Sequence, residues 1–455
     1  MRHHNQFRRK RGVFWFLKSC WKYCLTLLLF ITGSALAADW PQYRGDNRDG
    51  VSAETGWLKT WPPTEVWRQT VGMAYSSVVV SEGRVYTMGW TTNTDFVYCF
   101  DAYDGTRLWS YSYRNGPMKG WGPNATPTVD GNKVYTYSHS GDLYCFNKAT
   151  GAVLWNKVVD AGRHSEWGYA GSPLVEGNMI ILNAGGGAAV DKNSGSNIWR
   201  NAGTGGFGSP KALTFNSKRI ILMITISFPH GGKYDSSSCG VDAATGAFLP
   251  GWDFGGHYGE DPQFYGADKF YCGSTLYKIG TDGLTKVWGN DNMGTAYAAC
   301  VVVGDYAYGY GNNGGALNCQ SLSDGSIKWS QSGIKEGALM ESDGKLVCLS
   351  DNGQLIVCKA DPAAYNTEGR TPYQIKFEPY LGSSPSGCRA CPALANGLLY
   401  CRDYGSYTQV NYVNFDQYAN LVCLSFGASL KKQAANPHRE KITSASGNWA
   451  STVDR

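Results

Sequence analysis

The chain has 455 residues, of which 42% are hydrophobic, 14% aromatic and 17% charged, so it has ample apolar surface to bury and is not intrinsically disordered. Its 58 glycines lack a triplet period, which excludes collagen and implies many tight turns. The formal net charge of +5 comes from residues 1–37, which hold seven Lys/Arg and no acid; beyond them 34 basic residues face 36 acidic ones, and no nucleic-acid partner is expected.

Residues 1–37 read as a secretory signal peptide. Arg8, Arg9, Lys10, Arg11, Lys18 and Lys22 precede a short apolar run near residues 23–31, and the small residues Ala35-Leu36-Ala37-Ala38 set a cleavage site after Ala37. No Cys follows that site, so no lipid anchor is expected, and the run is the only one that approaches membrane-spanning length. The expected location is periplasmic or secreted, with no stable membrane span after processing. Residues 38–63 form a lead-in segment, opening on Asp39-Trp40-Pro41-Gln42-Tyr43-Arg44-Gly45.

From residue 64 to residue 426 the chain repeats itself. Residues 97–109, Val-Tyr-Cys-Phe-Asp through Gly105 to Trp109, recur at residues 143–155 with Gly151 and Trp155, and again with Gly195 and Trp199. Looser copies end on Trp252, Trp288 and Trp329, while Trp67 resembles the end of a copy that has no beginning. Each copy reads as strand, turn, strand: alternating apolar residues suit a pleated strand, Asp or Asn bonds the turn backbone, and Gly accepts positive φ. A second set of hairpin turns falls at Glu82-Gly83, Asp130-Gly131, Glu176-Gly177, Asn216-Ser217, Ala267-Asp268, Gly304-Asp305, Asp343-Gly344 and Asn396-Gly397, about 45 residues apart. Eight units of four short strands predict an all-β fold, an eight-bladed β-propeller of four-stranded antiparallel blades, closed by the N-terminal strand. Residues 427–455 read as a flexible polar tail.

In these residues the sequence resembles the pyrroloquinoline quinone (PQQ)-like β-propeller repeat family, whose repeat runs approximately Ala-x-Asp-x-x-Thr-Gly-x-x-x-Trp. The resemblance implies that Trp67, Trp109, Trp155, Trp199, Trp252, Trp288 and Trp329 dock structurally on neighbouring blades. The family includes quinoprotein dehydrogenases and noncatalytic scaffolds, and the compact form here is closest to its BamB-like members. The chain lacks the vicinal Cys-Cys pair typical of the dehydrogenases.

No metal site is expected. Cys99, Cys145, Cys319, Cys358 and Cys423 take the small-residue slot of a strand. Cys388 and Cys391 have the spacing of a redox pair but no second pair to complete a metal site. Cys348 and Cys358, and Cys391 and Cys401, flank hairpin turns and are candidates for approach across them. The group Asp253, His257, Glu260 and Asp261 lies among glycines and reads as a solvated loop.

Aromatic residues in Gly-rich turns ahead of the blades supply the candidate binding surface: Tyr75, Trp121, Trp167, Tyr169, Phe207, Tyr265 and Tyr297, with Arg163, His164 and Arg389 at comparable places. If the following strands line the channel, as the family implies, these side chains meet at one mouth, where a peptide, a glycan or a flat ring would fit. The same residues also suit packing between blades. The expectation is an exported, monomeric, noncatalytic propeller that binds a protein or polysaccharide partner. The alternatives are a quinoprotein oxidoreductase holding PQQ with calcium, and a carbohydrate-binding or carbohydrate-active propeller.

Overall fold

The computed structural model describes Met1 and residues 38–115, 122–159, 168–227, 237–255, 260–294, 299–311, 315–377, 387–405 and 418–427. The described residues contain no helix, hence none long and apolar enough to cross a membrane. Their strands form eight four-stranded antiparallel units arranged as an eight-bladed propeller. Blade 1 runs Val79–Ser81, Arg84–Thr91, Thr94–Asp101, Arg107–Arg114. The first strands of the others are Thr128–Asp130, Leu174–Glu176, Lys211–Phe215, Gln263–Tyr265, Val301–Val303, Gly337–Ser342 and Ala393–Ala395. Several of these first strands touch those of neighbouring blades and so form the inner wall. The strand Thr64–Gly72 pairs antiparallel with Tyr418–Ser425 and is the outer strand of blade 8, so the ring is closed by its own N-terminal strand as the incomplete copies predict.

Six of the eight junctions are held by a tryptophan set against the turn of the next blade. Trp109 Nε1 donates to Lys148 O at 3.1 Å, Trp155 to Lys192 O at 3.3 Å, Trp199 to Ala243 O at 2.9 Å and Trp67 to Ala102 O at 2.9 Å. Trp288 and Trp329 donate likewise to Leu322 O and Asp361 O. The indole covers the turn glycine of the next blade: a Cβ on Gly246, at φ +73°, would lie 2.5 Å from the Trp199 ring. Glycine is therefore required there twice, by conformation and by space.

Trp252 differs in detail. It follows its turn glycine by six residues where most copies have four, lies against Phe215 at 6.4 Å and over Gly240 of its own blade, and shares a buried cluster with Phe270, Cys272 and Tyr277 of blade 5. At that junction the backbones of Gly251 and Gly283 meet instead.

The register explains the strand cysteines. Cys99 pairs with Tyr86 on one side and Trp109 on the other, and the same row recurs as Tyr135-Cys145-Trp155, Tyr308-Cys319-Trp329 and Tyr400-Cys423-Trp67. The two rings approach to about 6 Å across the cysteine, which leaves room for a small side chain only. In three rows Tyr and Trp both donate to one carbonyl of the next blade, as Tyr86 Oη and Trp109 Nε1 do to Lys148 O. All twelve described cysteines are buried free thiols.

Candidate binding site along the channel

The inner wall carries a hydrogen-bond belt that begins with a dipeptide. A Ser, Thr or Asp before proline precedes the first strand of four successive blades, at Thr126-Pro127, Ser172-Pro173, Ser209-Pro210 and Asp261-Pro262. Proline favours the extended conformation in the residue before it, whose N–H and side-chain oxygen then face the neighbouring blades. The Ser77 N–H donates to Thr126 Oγ1 at 2.9 Å, Thr126 to Ser172 Oγ at 2.9 Å, Ser172 to Ser209 Oγ at 3.0 Å and Ser209 to Asp261 Oδ1 at 2.6 Å. At the same offset from the turn, blades 6 to 8 have Ala299, Ala338 and Cys391, which lack a side-chain oxygen, and the belt stops. The expected solvated loop is thereby corrected in part. Glu260 and Asp261 are buried because the Asp-Pro pair takes the belt position, and Glu260 Oε2 accepts the Gly273 N–H at 2.7 Å. Asp253 is exposed, and His257 lies outside the described residues.

The lead-in enters the channel from the end where the hairpin turns lie. Trp40, buried, exchanges two backbone hydrogen bonds with Val80, and Pro41 O accepts the Val129 N–H. Arg44, Gly45, Arg48 and Gly50 have positive φ and coil the segment tightly, which sends both arginines inward. Arg48 donates to Ser172 O and Pro173 O in blade 3, and Lys211 Nζ of blade 4 donates to Arg48 O at 3.1 Å. Arg44 Nη2 donates to Cys300 O in blade 6 at 2.6 Å. Val51–Ser52 then adds parallel to Glu341 and Ser342 of blade 7, and Ser52 Oγ reaches Leu394 O of blade 8. Seven of the eight blades are thus tied to one segment of the chain. Burial lowers the Arg48 pKa to about 10 and, reinforced by Arg44, lowers that of Lys211 to about 8, so both remain mainly cationic at neutral pH.

The opposite end of the channel gathers some of the expected residues. Tyr75 meets Tyr404 at 4.9 Å between ring centroids, and Arg389 Nε stands 3.4 Å from Asp351 Oδ1, which joins blades 1, 7 and 8. The Tyr404 N–H donates to Gly387 O, and Arg389 and Tyr75 are close enough to interact electrostatically. Tyr75 is half-buried, as is Phe207 ahead of blade 4. Tyr169 is instead a core residue, 2% exposed, with its ring 5.4 Å from that of Tyr137. Tyr265 ends the first strand of blade 5 beside the hairpin turn, its Oη donating to Asp305, and so lies at the other end from Tyr75. Trp121, Arg163, His164, Trp167 and Tyr297 lie outside the described residues.

A buried polar group was not foreseen. Asp95 is the second residue of the third strand of blade 1, has no exposure, is bonded by Asn115 Nδ2, and stands 4.0 Å from His139 Nδ1. Asn115 in turn accepts from Ser140, whose Oγ also bonds Asp142 at 2.8 Å. Burial pushes the Asp95 carboxyl up to about 7, against lowering by Asn115 and Tyr113. Because the folded pKa exceeds the unfolded one, this group's contribution is full below about pH 4 and is lost as pH rises through about 7. Urea midpoints are expected to fall by the equivalent of a few kcal/mol between pH 5 and pH 8 in the wild type, and to change much less in Asp95→Asn. Equal slopes in the two proteins would refute the assignment.

Comparison with known proteins agrees with this architecture. A family model described as outer membrane protein assembly factor BamB matches residues 62–214 and 93–249. No curated protein matches the sequence significantly. Among solved structures, BamB from Moraxella catarrhalis superposes with a TM-score of 0.52 at 13% identity, over 79% of this chain and 99% of that one. Quinohemoprotein alcohol dehydrogenase from Comamonas testosteroni gives 0.59 at 14% identity, over 86% of this chain and 81% of its own. A europium-containing methanol dehydrogenase gives 0.60 at 11% identity, over 85% and 98%. At these identities the likeness to the solved structures concerns the fold.

Proposed function

We propose that this chain, which belongs to the PQQ-like β-propeller family, is an exported scaffold that binds a protein partner at the channel end carrying Tyr75, Arg389 and Tyr404. The observation that carries this reading is the lead-in: the chain's own segment takes up the hairpin end of the axis, so a partner approaches from the other. Half-buried aromatic rings beside an arginine and a carboxylate suit an extended peptide, because the rings take apolar side chains and the charges orient the backbone. The likeness to an outer membrane protein assembly factor supports a protein rather than a glycan as the partner. Export rests on the leader of residues 1–37.

A quinone-dependent dehydrogenase is the second reading, favoured by the two dehydrogenase folds above. Among the described residues, no three His, Cys, Asp or Glu side chains stand together as metal ligands. Asp351 and Asp403 near the candidate end are engaged by Arg389 and by the Asn420 amide. These donors do not make up a site for PQQ with calcium, and no chemical step is assigned to it.

The test is photocrosslinking in the native envelope with a benzophenone side chain at position 75 and, separately, at the exposed hairpin residue Asn132. A discrete protein adduct from position 75 alone is expected. Adducts from position 132 alone, or dye-linked alcohol oxidation by purified protein supplied with PQQ and calcium, would reject the scaffold reading.

A further inference from the structure

The first residue after the expected cleavage site is held by a carboxylate. The Ala38 N–H donates to Glu54 Oε1 at 3.0 Å, and the same oxygen accepts the Asn396 N–H of blade 8 at 2.6 Å. Glu54 is fixed in turn, its carbonyl accepting from Ser342 Oγ of blade 7 at 2.7 Å. The next residue is anchored too, since the Asp39 carboxylate accepts from Ser81 Oγ and the Glu82 N–H. Among the described residues no Lys or Arg pairs with Glu54 or Asp39. The surroundings are acidic. The carboxylates of Asp101, Asp39 and Glu54 all act on the Tyr103 hydroxyl, and Asp343 accepts the Gly56 N–H close by. Among the described residues Asp343 has its cation in Lys345 Nζ, 3.1 Å away, whereas Glu54 and Asp39 have no paired cation.

We propose that cleavage after Ala37 supplies it, and that the new α-ammonium of Ala38 pairs with Glu54 and locks the lead-in into the channel. The step is a hydrolysis by a leader peptidase: water adds to the Ala37 carbonyl, the C–N bond to Ala38 breaks, Ala37 leaves as a carboxylate, and the released amine takes up a proton. A hydrogen bond from a neutral N–H to a carboxylate becomes an ion pair with an ammonium that has two further N–H donors to offer. Removal of the leader is then a structural step as well as a targeting step. The inference rests on the export reading above, but not on any partner at the opposite end.

The protein is recovered from its native export route and its N-terminus determined by intact mass; a start at Ala38 is expected. Acylation of the α-amine near pH 7.5 is then compared between wild type and Glu54→Gln. Pairing raises the folded pKa of the amine above its ordinary value of about 7.7–8.0, so its contribution to stability is present at neutral pH and is lost as pH rises through the folded value. A rise of about one unit makes the wild-type amine react about tenfold more slowly than that of Glu54→Gln. A protein retaining Ala37, whose amine is displaced by one residue, is expected to react at the faster rate and serves if Glu54→Gln does not fold. A mature N-terminus at any other residue, or equal rates in the paired and unpaired proteins, overturns the proposal. Loss of the position 75 crosslink would leave it standing.

Discussion

Arg402→Ala is expected to lower stability by about 3–5 kcal/mol, measured by urea unfolding. Arg402 is 1% exposed at the joint where the ring closes. Its guanidinium donates to Met88 O at 2.6 Å and Thr87 Oγ1 at 2.7 Å in blade 1, to Gly72 O at 2.9 Å in the closing strand and to Asp403 O at 3.2 Å. Burial lowers its pKa to about 10, so it stays charged at neutral pH, and each of its three nitrogens has an acceptor. Removing it takes a donor from three interior carbonyls and from the Thr87 hydroxyl, which keeps only its bond to Ser77 O. Lysine cannot reproduce a planar fork, so Arg402→Lys should recover less than half of the loss. A change below about 1 kcal/mol in Arg402→Ala would show that the ring closes without this rivet.

For Arg44→Ala a loss of similar size, about 3–5 kcal/mol, is expected together with release of the lead-in. Arg44 bonds Asp49 O at 2.8 Å inside its own coil and Cys300 O across the channel. Without it, the coil loses its internal tie and its contact with blade 6 together. Limited chymotrypsin digestion read by mass spectrometry should then cut within residues 38–57 while the blades stay intact. Equal resistance in mutant and wild type would mean that the remaining contacts hold the segment alone.

The architecture was legible because each blade repeats one local solution. A turn glycine is forced by the indole above it, and the docking tryptophan and the small cysteine slot recur with it, so the sequence carries the ring as a period. The closing strand was legible for the same reason, as half of a repeat at each end of the array. Trp252 stands two residues further from its turn glycine than most, and that its ring covers Gly240 is not revealed by spacing alone. The tyrosine that shares a carbonyl with each of three tryptophans lies on a different strand, and only register unites them.

The channel was far less legible. Arg44 and Arg48 stand in a short segment outside the repeat, and their partners are backbone carbonyls 124 to 256 residues away, which no side-chain pattern records. Asp261 looked solvated because its neighbours are glycines. The usable signal was the Ser/Thr/Asp-Pro dipeptide preceding four successive blades. Tyr265 and Tyr75 seemed equivalent because both are aromatics near turns, but one ends a strand and the other precedes one.

The pairing of Thr64–Gly72 with Tyr418–Ser425 has a consequence for how the protein is born. A chain synthesised from its N-terminus makes this strand early and its partner some 350 residues later. Until then the strand has an unsatisfied edge, and contacts this distant in sequence form slowly. Truncation anywhere before residue 418 therefore removes the clasp of the whole ring, so closure of all eight blades waits on the late arrival of residues 418–425.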